Sequence, residues 1–177
     1  MLNLGGTGRD ELTSRLLDCR HYDVALDLVL DTALQLQGAS LGDVQLYKPE
    51  QEVLEIVRQQ GFRREFLDFF HHVSADHSCS CGREFRNGRA IISPDVEGDP
   101  DFAPYLSVMR AAGVRACQST PLITSTGVLV GVVSTHFREA REISAARMRA
   151  TQQFARQAAE VLLLIKAEES EGRVKRH

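Results

Sequence analysis

The chain has 177 residues, 43% of them hydrophobic and 25% charged, which suits one soluble domain with helical extensions. Its net charge of −3, with 21 Lys and Arg interspersed among 24 acids, and its 6% aromatics without tryptophan give no electrostatic or stacking case for nucleic acid. No run approaches the roughly 18 uninterrupted apolar residues of a membrane span, and residues 1–8 lack the basic and apolar regions of a signal peptide.

A cytoplasmic protein is therefore expected, with Cys19, Cys79, Cys81 and Cys117 kept as thiols rather than paired in disulfides. Residues 1–22 read as an N-terminal arm, Gly-rich to about residue 10 and partly helical after it. Helical spacing runs from Asp10 to about Leu36 with a break near His21, and Leu26, Val29, Leu30, Ala33, Leu34 and Leu36 mark one apolar face. Asp23 is the expected N-cap of the second part, and Gly38 its end.

Two alternating runs, 43–47 and 52–57, predict a β-hairpin closed by Lys48-Pro-Glu-Gln51. Residues 62–70 carry Phe62, Phe66, Phe69 and Phe70 at helical spacing and predict a short helix across the sheet. The stretch from His71 to Arg86 is polar and irregular, with Ser78 as a cap for a short helix opening on Cys79 and Cys81. A short strand is expected at 90–92, a loop at 95–104 turning at Asp99-Pro100, and a helix at 105–112 ended by Gly113.

The strongest strand patterns are 114–120 and 128–137, joined by a turn at Ser125-Thr-Gly127. Pro121 requires an edge or a bulge where it falls. From Ser144 to about Glu169 one long helix is expected, and residues 169–177 read as a charged flexible tail. The order of elements predicts an α+β fold on an antiparallel sheet.

Several motifs sharpen this picture. They are Cys81-Gly82 at a helix start, Asp99-Pro-Asp-Phe102, Gln118-Ser-Thr-Pro-Leu122, Ser134-Thr-His-Phe137 and Phe154-Ala-Arg-Gln-Ala-Ala159. Together they resemble the GAF domain, a small-molecule sensor module attached to bacterial sensor kinases and two-component regulators. The resemblance covers about Asp23 to Leu164 and places the domain at 23–168. It implies a GAF-like, PAS-related antiparallel sheet, with the first and last helices on one face and loop helices over a pocket on the other. The residue after Cys-Gly, usually small, is Arg83 here, and the Asn-Lys/Phe/Asp-Glu pattern of cyclic-nucleotide GAF domains is absent, which argues against that ligand.

Carried onto this chain, the resemblance implies a pocket near Phe70, Cys79, Asp95, Phe102, Tyr105, Ser119 and His136. Asp95 or His136 would hydrogen-bond the ligand, whose identity the sequence leaves open, as it does any cofactor. Ordinary core packing is the competing reading for Phe70, Phe102 and Phe137, as is a satisfied histidine for His136. Thiol chemistry at Cys79, Cys81 and Cys117, as redox sensor or reductase, is the alternative from the enzyme class. His77, Cys79 and Cys81 place three soft donors at alternate positions, near His71 and His72, but form one pair where zinc sites use two, so no metal is expected. Asp95, Glu97, Asp99 and Asp101 lack the spacing of a calcium loop and read as a solvated loop.

The apolar stripe of the last helix is wider than one sheet face requires. A homodimer through Met148, Thr151, Ala158, Leu162 and Ile165 is expected, with the chain's own first helix as the competing cover. The resulting expectation is a non-catalytic, cytoplasmic sensory module that passes ligand binding to an output protein. A pure dimerisation module is the third reading.

Overall fold

The computed structural model describes residues 14–74 and 89–174. In chain order they form α1 (Tyr22–Gln37), β1 (Leu41–Lys48), β2 (Val53–Gln60), α2 (Arg64–Phe70), β3 (His72–Ser74) and β4 (Ile91–Ser93). A 3₁₀ turn (Pro100–Tyr105), α3 (Leu106–Ala111), β5 (Ala116–Ile123), β6 (Leu129–Phe137) and α4 (Ala145–Val174) follow. The strands make one antiparallel sheet in the order β3-β2-β1-β6-β5-β4. α1 and α4 pack together on one of its faces, in the α+β arrangement that the sequence predicts.

α1 forms where apolar residues recur every three to four positions, and it buries Ala25, Leu26, Val29, Leu30, Ala33, Leu34 and Leu36. Residues 14–17 form a preceding helical turn, and the chain breaks before Tyr22. The N-cap is His21 rather than Asp23. Asp23 sits in the first turn, where a negative charge opposes the positive end of the helix dipole. Its carboxylate and that of Asp27 each lie 2.6 Å from the guanidinium of Arg58 on β2. Gly38 adopts φ 64°, a left-handed conformation cheap only for glycine, and the Ala39 N–H closes onto Leu34 O at 2.9 Å.

α4 begins after Ser144, whose Oγ accepts the Arg147 N–H at 3.3 Å. It continues past Glu169 to Val174, so a tail that starts at 169 is corrected, and residues 175–177 lie outside the described residues. Residues 166–171 are mostly Ala, Glu and Lys, which favour helix, and the Glu169 carboxylate accepts the Tyr22 N–H at 3.1 Å.

The apolar stripe of α4 is consumed within the chain. Thr151, Ala158, Leu162 and Ile165 are buried against α1 and the sheet, which leaves these four no surface for a second copy, while Met148 is half-buried. Among the described residues, Leu163 and Leu164, at 40% and 56% exposure, are the large apolar side chains that α4 leaves exposed.

Near their junction, Gln37 of α1 is fully buried and donates to Thr151 Oγ1 at 2.6 Å and Gln118 Oε1 at 3.1 Å. Pro121 lies past the end of β4, which pairs only with Cys117–Ser119, so β5 has an open edge there that tolerates a residue without an N–H. β3 escapes the sequence pattern because it is three residues long and two of them are His72 and Ser74.

Candidate functional site

Side chains alternate across a pleated sheet, so the register fixes which residues share a face. On the face away from α1 and α4, one row runs Ser93, Cys117, His136, Leu41 across β4, β5, β6 and β1. The next runs Ile91, Ser119, Ser134, Asp43, and the third Pro121, Val132, Gln45. Most of this face is polar, and Ser93, Ser119, Ser134, His136, Asp43 and Gln45 are nonetheless buried.

An aromatic wall covers it. Phe62 and Phe66 stack at 3.8 Å between ring centroids, Phe66 meets Phe70 at 4.8 Å, and both Phe62 and Phe66 present to the His136 ring edge-on at 5.0 and 5.9 Å. Phe102 and Met109 extend the same apolar cluster, with Tyr105 5.9 Å from Phe70 at its margin. A spacing of four residues between Phe62, Phe66 and Phe70, along α2 and its lead-in, turns all three rings towards the sheet.

Inside, the polar groups are only partly satisfied. His136 Nε2 lies 3.0 Å from Asp43 Oδ2, and both side chains are almost fully buried, at 4% and 3% exposure. Ser119 Oγ and Ser134 Oγ share a hydrogen bond of 2.9 Å. Asp43 Oδ1, His136 Nδ1, Gln45 Oε1 and Ser93 Oγ are buried without a hydrogen-bond partner among the described residues. A buried polar atom left unmatched costs about 1–3 kcal/mol, and native interiors rarely concentrate such atoms on one face. The arrangement places acceptors and an imidazole nitrogen directly beneath an aromatic cover.

The residues expected at the site are thus distributed unevenly. Ser119 and His136 lie on the polar floor, and Phe70, Phe102 and Tyr105 belong to the apolar cover. Asp95 is instead engaged outside it: its carboxylate takes the Arg115 guanidinium at 3.0 and 3.1 Å and is 40% exposed. The hydrogen bonds from Arg115 and from the Glu97 N–H hold its carboxyl below the ordinary aspartate value. Glu97 pairs with Arg110 at 3.2 Å, and Asp99 accepts the Asp101 N–H at 3.0 Å, so the acidic loop is occupied with its own neighbours. Cys117 is fully buried on the polar face. His77, Cys79 and Cys81 lie outside the described residues.

Asp43, Gln45, Ser93 and Ser134 were not singled out by sequence reasoning. Alternation in Asp43-Val-Gln-Leu-Tyr47 puts Asp43 and Gln45 on one polar face, and such a face is ordinarily read as solvent-facing. The missing information was that α2 and the 3₁₀ turn close over it.

The sequence profile of the GAF domain matches residues 19–162. No curated protein sequence matches the chain. Among solved structures, the GAF domain of an Acinetobacter phosphoenolpyruvate-protein phosphotransferase superposes with a TM-score of 0.73 at 10% identity, covering 94% of this chain and 97% of that one. A GAF domain/HD domain protein from Geobacter sulfurreducens gives 0.69 at 16% identity, over 88% and 98%. The free methionine-R-sulfoxide reductase of Neisseria meningitidis, in complex with its substrate, gives 0.72 at 15% identity, over 90% and 89%. At these identities the likeness is one of fold.

Proposed function

The chain belongs to the GAF domain family, and from that premise we propose that it is a non-catalytic sensory module whose small polar ligand rests on the buried face of Asp43, Gln45, Ser93 and His136. The observation that carries the proposal is the set of buried, unmatched polar atoms on that face. A ligand with a donor for Asp43 Oδ1 and a group complementary to His136 Nδ1 would recover the desolvation cost those atoms bear. Its binding would favour one of two arrangements of the cover and the terminal helices, which an output protein reads.

Native mass spectrometry of the purified protein, gently desalted and without reductant, tests this. The expected result is a small-molecule mass increment on the wild type that is absent from the Asp43→Leu/His136→Leu double variant. That variant keeps its fold because a buried polar pair replaced by apolar side chains is close to neutral. An increment retained by the double variant, or only chain mass on the wild type across gentle purifications, overturns the assignment of the ligand to this face.

A second reading is favoured by the position of Cys117, the cross-strand neighbour of His136 on the same face. In it, Cys117 works with Cys79 and Cys81 as a thiol redox centre. A Cys→Ser series separates the two: only thiol chemistry requires the sulfurs, and a sensor retains its ligand in Cys117→Ser.

A further inference from the structure

A second constellation lies on the other face of the sheet, at the end away from β4. Glu55 of β2 and His72 of β3 are direct cross-strand partners, and β2 turns Glu55 to the same side as Leu46 and Lys48 of β1. Such partners hold their Cβ atoms about 4.5–5.5 Å apart. His71 precedes β3, and its position is set by the bond from the Ile56 N–H to its carbonyl at 3.3 Å. The two imidazoles meet at 4.2 Å between centroids. One donor atom from each of Glu55, His71 and His72 lies within 4.8 Å of the other two.

We propose that Glu55, His71 and His72 form a binding site for a first-row transition-metal dication of the zinc type. The chemistry of the donors selects the class. Two imidazole nitrogens and one carboxylate suit zinc, cobalt, nickel or copper, whereas magnesium and calcium prefer oxygen throughout. Three protein donors leave at least one coordination position for water or an exogenous ligand. Lys48 Nζ lies 3.1 Å from Glu55 Oε2, so it occupies one carboxylate oxygen and leaves the other available to the metal. This partner orients the ligand, as the groups around metal-bound side chains commonly do. The hydrogen bond from Lys48 and its positive charge keep the Glu55 carboxyl below its ordinary value.

Occupancy would join β2 to the short edge strand β3 and to the residue that leads into it from α2. The site opens outward, since both histidines are exposed and Glu55 is partly so. It is therefore suited to exchangeable metal rather than to a permanently buried structural ion.

Cobalt(II) titration of the full-length, chelator-treated and reduced protein, followed by absorption spectroscopy, tests the site. Cobalt is chosen because thiolate ligands announce themselves by an intense charge-transfer band that imidazole and carboxylate lack, which separates this site from the chain's cysteines. The expected result is one cobalt per chain with ligand-field bands, no thiolate band, and displacement by zinc. His72→Ala and Glu55→Gln should each weaken binding by about tenfold or more, with the far-UV circular dichroism unchanged because these side chains reach the surface. The proposal is overturned by the lack of saturable uptake, by a thiolate band on the bound cobalt, or by wild-type affinity in both variants.

Discussion

Asp43 and His136 set the behaviour of the interior at the scale of single residues. Each is the other's principal polar partner in a buried setting. Removing one leaves the other unmatched, whereas removing both leaves neither partner stranded. Asp43→Leu alone should therefore lower the unfolding free energy by about 2–4 kcal/mol, and the Asp43→Leu/His136→Leu double variant should regain most of it. Urea denaturation of the three proteins checks this; additive losses would mean that the two side chains do not act as a pair. On the surface, Asp95 gives a pH-dependent counterpart. Its carboxyl titrates below the ordinary value because Arg115 favours the charged form. The favourable pairing is therefore complete above the ordinary aspartate pKa and is lost as pH falls through the lowered one. In Arg115→Gln the Asp95 titration midpoint, followed by carbon NMR of the side-chain carboxyl, should rise towards the ordinary value.

Elements show what the sequence revealed and what it withheld. α1, the β1–β2 hairpin and β6 were legible because each carries a long periodic pattern, and Gly38 and Gly113 marked real helix ends, with φ of 64° and 70°. The fold class followed from their order. β3 was not legible, since three residues hold too little pattern to register. Nor was the far end of α4, where a highly charged composition suggested solvation although the same residues favour helix. On the buried polar face, Ser119 and His136 fall within motifs that the sequence displays. Asp43 and Gln45 were not, because alternation gives the two faces of a strand and says nothing of what covers each. Glycine has a more specific part in β6. A Cβ at Gly131 would collide with the Gln45 carbonyl on the neighbouring strand β1. Gly131→Ala should cost about 1–3 kcal/mol through displacement of the central strand pair, read as a lowered Tm.

The molecule as a whole is two layers of different character that share one sheet. The α1–α4 layer is mainly apolar, with polar groups gathered around Gln37, Gln118 and Thr151, while the opposite face is polar beneath its aromatic cover. A homodimer, expected from the sequence, would find on the described helical layer the exposed apolar residues Val24 of α1 at 49% and Leu163 and Leu164 of α4 at 40% and 56%. Leu163→Ser/Leu164→Ser should shift a dimer to monomer in light scattering at micromolar concentration, with an unchanged Tm for the folded chain. A monomeric wild type under the same conditions removes this surface from that expectation.

The bond from the Tyr22 N–H to Glu169 links the first turn of α1 to the far end of α4, while Gln37 meets Arg147 and Thr151 at the other end of the pair. The two helices are consequently antiparallel, and the places where the chain enters and leaves the folded body are neighbours. A body with adjacent entrance and exit behaves like a bead hung on a loop. It can be threaded into a longer polypeptide, or have its ends joined and reopened at the exposed 125–127 turn, without drawing the flanking segments apart.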